Sequence, residues 1–442
     1  MLKGPAVGVA LSVMAAVGAA NAQVLPAAPE ALAIGDWQVS PVVEVRARGE
    51  YRHDLDDQDR GTLMERSRLG LDSVRGVVEV RVVLQDARVL ELSGSSPPEG
   101  PLPLALIGAY EAWVEAHTAA VAASFLRVGR QPIVWGEGRL LGVSDGSPTG
   151  RSLDAVRGRL ALGDGAVELV AAALEDEAGG TAFSVTPYGE LLGARGERAF
   201  DPLLAVEAYA LARLARANPA LESGVEGQTV AFAARAHGAG QGWSWGTEGA
   251  LELGHVDAAP RGPATFSGSR TAWAAAGHVA RTFADALLRP EVGLGAAYAS
   301  GDRGGRTYEG FDPLLPDVHE WHGAMDVFSW SNEAEASLRV AAAPWTDGRA
   351  SIEYRYARLA QPGAAWESAY LLAIGQVQDN GRASLGHEID AALAWSPWVP
   401  VRLEAGYSIL FLGDGAQAIL RASESAAASV SHYAFADARV DF

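Results

Sequence analysis

The chain has 442 residues, 35 Lys+Arg against 54 Asp+Glu, a net charge of −19 and no cysteine. That excludes a disulfide framework and a thiolate metal site, and no basic patch interleaved with aromatics suggests nucleic acid. Past the N-terminus no stretch reaches about 18 consecutive apolar residues, so a membrane span would need a closed barrel of strands.

Lys3, an apolar run from Ala6 to Ala20 and the small-residue site Ala20-Asn21-Ala22 read as a secretory signal peptide over residues 1–22. The alternative there is a membrane anchor. Residues 23–39 read as a short periplasmic segment, and 40–442 as the main domain. Lys3 is the only lysine, so every later fixed cation is a planar guanidinium suited to carboxylates.

From Pro41 onward the dominant period is two. Val43, Val45, Ala47, Gly49 and Tyr51 alternate with Glu44, Arg46, Arg48, Glu50 and Arg52. The pattern returns around Arg66 and Arg68, Glu79 and Arg81, and Glu111 to His117. It returns again around Glu333 and Glu335, Glu353 and Arg355, Glu388 and Asp390, and Arg402 and Glu404. Segments of about ten residues, separated by Gly-, Asp- and Pro-rich turns, are the mark of an outer-membrane barrel. About 17 segments can be marked, and even strand numbers favour 18 over 16. The period is lost over Glu175–Pro202 and near Met325–Trp330.

Short and long connections alternate, as short periplasmic turns and long outer loops would. A long irregular stretch, Gly129–Gly142, lies between strand-like runs at Val121–Val128 and Arg151–Leu162. It carries four glycines, Arg130, Glu137, Arg139 and Trp135, and reads as an outer loop or one folded back into the lumen. The chain ends in Phe442, a terminal aromatic of the kind that barrel-assembly machinery recognises.

Several motifs together resemble the alginate-export family of outer-membrane barrels. They are Arg66-x-Arg68-Leu69-Gly70, Gly129-Arg130-Gln131 with Gly136-x-x-Arg139-Leu140-x-Gly142, and Arg151-Ser152-Leu153-Asp154-Ala155-Val156-Arg157. Later come Ser300-Gly301-Asp302, Phe311-Asp312-Pro313-Leu314-Leu315-Pro316 with His319, Gly386-His387-Glu388-Ile389-Asp390, and Gly406-Tyr407 with Gly413. The resemblance implies an all-β, 18-stranded antiparallel transmembrane barrel in a Gram-negative outer membrane. It also implies passive export of an anionic polysaccharide such as alginate, or of small anionic solutes. Arg66, Arg68, Arg130, Arg139, Arg151 and Arg157 correspond by motif to an arginine-lined lumen, with Glu137 and Asp154 nearby. Glu137 stands where the family often has Asp, and Leu153 where an aromatic is usual.

The competing expectation is that these arginines form cross-lumen ion pairs with Glu44, Glu50, Glu79, Glu111 and Asp154. Two other functions stay open: a loop-plugged surface barrel, and a porin for uncharged or apolar molecules. Acidic runs at Asp54–Asp59 and Glu175–Glu177 admit either plain solvation or Ca²⁺, held between carboxylates or shared with lipopolysaccharide phosphates. Otherwise no cofactor is expected. Expected partners are membrane lipid, lipopolysaccharide, the barrel-assembly machinery, an anionic solute and periplasmic export proteins. Catalysis is not expected: the nine histidines are scattered, His319-x-x-His322 lacks a third ligand, and no Gly-x-Ser-x-Gly elbow with triad partners occurs.

Overall fold

The computed structural model describes residues 31–93, 105–118, 123–176, 186–215, 226–261, 264–423 and 428–442. The expected signal peptide lies outside them.

Strand β1 (Leu32–Ile34) forms a hairpin with β2 (Trp37–His53), so the sheet begins somewhat before residue 40. The wall continues through β3 (Asp59–Arg75), β4 (Val78–Ser93), β5 (Ala105–His117), β6 (Phe125–Gln131), β7 (Leu153–Leu162), β8 (Gly165–Asp176) and β9 (Thr186–Asp201). Then follow β10 (Leu204–Ala215), β11 (Glu226–Gly240), β12 (Trp243–Arg261), β13 (Ala264–Thr282), β14 (Glu291–Ala299), β15 (Glu333–Ala342) and β16 (Gly348–Leu359). A small separate ribbon, β17 (Trp366–Glu367) and β18 (Ala373–Gly375), precedes β19 (Ser384–Trp398) and β20 (Val401–Leu412). Helix α1 (Asp414–Ala422) leads into β21 (Val430–Asp441), which pairs with β2 and closes the barrel.

Each barrel strand is antiparallel to its neighbours, and without β1 the wall among the described residues has 18 strands. Closure removes every free edge, which a strand in lipid requires. The lost period at Glu175–Pro202 resolves into β8, undescribed residues and the regular strand β9. Near Met325–Trp330 there is no strand; that stretch lies in the long connection between β14 and β15.

Short turns at 76–77, 163–164, 202–203, 241–242 and 399–400 mark one end. In barrels of this class that end faces the periplasm. Outward residues such as Leu69, Leu84, Leu169, Leu253, Leu294 and Ile352 stay exposed and form the lipid-facing band. Trp243, Trp345 and Trp398 sit near the short-turn end, where an interfacial aromatic belt belongs.

The inner face is not uniformly polar. On β11 to β14 it is largely alanine: Ala231, Ala233, Ala250, Ala272, Ala274 and Ala297 are all buried. They belong to one apolar cluster with Trp135, Leu140, Leu141, Phe311, Leu315 and Trp330 from the connections at 132–152 and 300–332. Both connections therefore fold into the lumen. Small side chains on the wall leave room for them, and apolar burial holds them there.

Candidate functional site

The two inward loops are built as one unit. Leu315 donates its N–H to Leu140 O at 3.1 Å, and Gly142 donates to Leu315 O at 2.9 Å. Asp317 donates to Gly138 O at 2.7 Å. Arg151 adds side-chain bonds from Nη1 to the carbonyls of Gly142, Leu315 and Pro316, at 2.8–2.9 Å. Two glycines permit close approach, Gly136 to the barrel wall and Gly142 to the other loop. Gly136 has φ +64°, and a Cβ there would sit 2.9 Å from Tyr209 Oη. A Cβ on Gly142 would sit 2.6 Å from the Asp317 nitrogen, inside contact distance.

Trp135 anchors the first half of loop 132–152. Its ring is fully buried, and its Nε1 donates to Glu168 on β8 at 2.6 Å. The same carboxylate accepts from Arg157 Nε at 2.8 Å, so Arg157 faces inward and braces the tryptophan site. Further along, Arg139 is buried, with its guanidinium 4.2 Å from the Trp321 ring and its Nε 3.3 Å from Glu137. Arg235 of β11 reaches the other oxygen of Glu137 at 3.4 Å.

The second half of the loop meets a charged wall. Strand register places Arg402, Arg439, Arg46 and Arg66 opposite one another across β20, β21, β2 and β3. Like charges in such a row repel and call for an anion. Asp145 of the loop supplies one. Its Oδ1 lies 2.8 Å from Arg66 Nη2 and 3.4 Å from Arg68 Nη1, and its Oδ2 lies 2.8 Å from Arg439 Nη1. Arg46 Nη1 donates to the Asp145 carbonyl at 2.7 Å. Glu44 is the second anion, with oxygens 2.6 Å from Arg66, 3.2 Å from Arg68 and 3.0 Å from Arg439. Arg68 also stacks on Tyr110 at 3.4 Å. Burial alone would raise the Asp145 carboxyl; Arg66, Arg68, Arg439 and Arg46 overcome it and hold it at about 2.

A third charged node fixes loop 300–332. Asp312 is buried and held by Arg213 and Arg270, with Arg270 3.3 Å from Glu252. Burial opposes ionisation of Asp312, but the two guanidiniums bring its carboxyl below the ordinary range.

Six of the eight residues singled out in the sequence thus face the lumen or its loops: Arg66, Arg68, Glu137, Arg139, Arg151 and Arg157. Arg130 and Asp154 are a correction. Arg130 belongs to β6, not to the loop, and shares the parity of Leu126 and Val128, which are about half exposed on the outward face. Asp154 shares the parity of outward Val156 and pairs with Arg130 at 2.8 Å. The pair lies on the outside of the barrel, near the rim. The physical reason is the strand's period of two: a separation of three from inward Arg127 or Arg157 reverses the face. Sequence reasoning missed Asp145, Arg439 and Asp312 as members of charge clusters. Only Arg439 left a signal, its alternation with Ala438 and Val440.

The acidic turn at Asp54–Asp59 satisfies itself in part. Arg60 binds Asp54 at 2.7 Å and Asp56 at 2.5 Å, while Tyr51 and His53 bind Asp59. The second acidic run reaches outside the described residues at Glu177.

The alginate export family profile matches residues 38–435. The chain belongs to the alginate export family. No curated protein matches it. Among solved structures it is similar to OccAB1 of Acinetobacter baumannii, at 11% identity and TM-score 0.60, over 91% of this chain and 97% of that one. OccK8 (OprE) of Pseudomonas aeruginosa gives 11% and 0.59, over 91% and 98%. Pseudomonas aeruginosa OpdK, solved with vanillate, gives 13% and 0.56, over 91% and 98%. At such identities the likeness is one of fold, and it agrees with the closed 18-stranded wall. Family and fold are those of outer-membrane transport channels, embedded in lipid.

Proposed function

We propose that this family member passes anionic saccharides, or other solutes bearing carboxylates, across the outer membrane, and that the arginine row around Asp145 is the carboxylate station of its pore. The supporting observation is that row: four guanidiniums in register, three of which reach Asp145, a loop residue whose carboxylate is itself 37% exposed, while Asp437, Asp441 and Glu404 of the wall pair with Arg46, Arg439 and Arg402. Asp145 occupies the position a solute carboxylate would take. The Arg439–Asp145 pair, 29% and 37% exposed, is of the solvated kind worth about 0–1 kcal/mol, weak enough to exchange. Exchange between several weak stations is what conduction requires. Lipid and lipopolysaccharide surround the wall in this reading. Solute gradients or periplasmic export proteins set the direction.

Planar-bilayer reversal potentials in a salt gradient test the proposal. The wild-type protein is expected to favour anions, and Arg66→Gln combined with Arg439→Gln to lose that preference. A cation-selective wild type, or a double variant with unchanged selectivity, would sink it; the latter outcome favours a porin for uncharged solutes.

A second reading, a barrel plugged at rest, is favoured by the apolar docking of both loops. Deleting residues 137–141 should then raise conductance several-fold. Unchanged conductance would count against a plug there.

A further inference from the structure

The family reading leaves one buried cluster without a role. His322 sits in loop 300–332, close to where that loop rejoins the wall at β15. Its Nδ1 lies 3.2 Å from Glu335 Oε1. Glu333, on the same inward face of β15, brings a third donor. One ligand atom from each of His322, Glu333 and Glu335 lies within 4.8 Å of the other two.

The carboxylates here are short of partners. Glu333 is only 3% exposed, and its Oε1 has no hydrogen-bond partner; Oε2 accepts from the Ser329 N–H at 3.3 Å. A buried carboxylate oxygen left bare costs a substantial part of its solvation. Arg355 on β16 reaches Glu335 Oε2 at 2.8 Å and Glu353 at 2.6 Å. That leaves Glu335 Oε1 turned toward His322. Among the described residues, Glu333 and the Glu388 and Asp390 carboxylates on β19 form no ion pair with an arginine. Oε2 of Glu388 and Oδ1 of Asp390 are likewise buried without a partner. Arg139 shares a small cavity with His322; its Nε is 3.3 Å from Glu137 and its guanidinium lies over Trp321, while its Nη1 is buried without a hydrogen-bond partner.

We propose that His322, Glu333 and Glu335 form a site for a divalent transition-metal ion of the Zn²⁺ class, which clamps the inward loop to the barrel wall. One imidazole nitrogen and two carboxylate oxygens suit zinc better than calcium, which takes six to eight oxygens. The ion would satisfy the bare Glu333 oxygen and offset the excess negative charge on β15 and β19. The sequence pair His319-x-x-His322 is not the chelate, because His319 turns away to Asp326 at 3.0 Å and Arg48 at 3.0 Å. Loop 300–332 also carries loop 132–152 through their shared hydrogen bonds, so one ion would hold both inward loops.

The test is calorimetric titration of ZnCl₂ into the refolded full chain in detergent, with Co²⁺ absorption as a second probe of the ligand set. Wild type should bind one equivalent. His322→Ala and the near-isosteric Glu333→Gln should each weaken binding by about tenfold or more. His117→Ala should leave it unchanged; His117 lies in another acidic group, with Glu79 and Glu115. In bilayers, Zn²⁺ should lower the open probability of wild type but not of His322→Ala. Heat-modifiable gel migration reports that each variant has folded. The site is refuted if wild type binds no zinc, or if Glu333→Gln and His322→Ala bind it like wild type. It is also refuted if His117→Ala, rather than His322→Ala, abolishes binding. Anion selectivity is not a readout, so the site and the carboxylate station stand or fall separately.

Discussion

Loop 132–152 is held at its two halves by different physics. Trp135, Leu140 and Leu141 are fully buried against small and apolar residues of β7 to β14. Asp145, a few residues on, is more than a third exposed and held almost wholly by arginines. The first half is set by apolar burial, and its few polar contacts, Trp135 to Glu168 and Arg139 to Glu137, are themselves buried. The charged half is held by bonds that a solute carboxylate could make equally well. A loop docked in this way is fixed at one end and exchangeable at the other.

The largest effect should come from removing the apolar anchor. Trp135→Ala empties a fully buried site and leaves Glu168 without its indole donor. We expect a loss of about 3–5 kcal/mol. Denaturant unfolding should report it, and trypsin should cleave after Arg139 faster than in wild type. Next comes overfilling of the alanine wall. Ala272 is completely buried beneath the loops, and Ala272→Leu should cost about 1–3 kcal/mol. Conductance should rise with it, because the loops are displaced while the outward face is untouched.

The charged half should respond less in stability and more in pH. Asp145→Asn should cost about 1 kcal/mol, a value discounted for the exposure of the carboxylate. The Asp145 carboxyl is held at about 2, below its ordinary range near 4. Its contribution is therefore complete above about pH 4 and lost as pH falls through about 2. Acid-dependent pepsin sensitivity of the loop should follow that window in wild type and vanish in Asp145→Asn. The smallest effect belongs to the outward pair. Arg130→Gln should change stability by less than about 1 kcal/mol and leave ion selectivity as it was. A clear selectivity change would place Arg130 in the conduction path after all.

The outward position of Arg130 was available in the sequence. Counting by two from Arg127, beside Glu115, or from Arg157 puts Arg130 and Asp154 on the opposite face. The family motif, which joins these residues in one stretch, drew them into the lumen instead. Asp145 is a different case. Nothing in Ser144-Asp145-Gly146 marks it, because its partners lie on β3 and β21, some 80 and 290 residues away along the chain. His322 and Glu335 are closer in sequence, yet their meeting depends on how the loop between β14 and β15 turns back.

By itself the sequence determined the class of molecule: an all-β wall of about ten-residue strands with one apolar outward face. Those properties follow from a period of two, which is local and survives in any register. Only the tertiary structure decided which charges meet. The arginine row needs the register of four strands, the alanine wall gains its purpose from loops that fold inward, and Asp145 becomes a counter-ion only once its loop crosses the lumen. These are contacts between distant segments, set by packing within a closed barrel, and alternation along any one strand does not encode them.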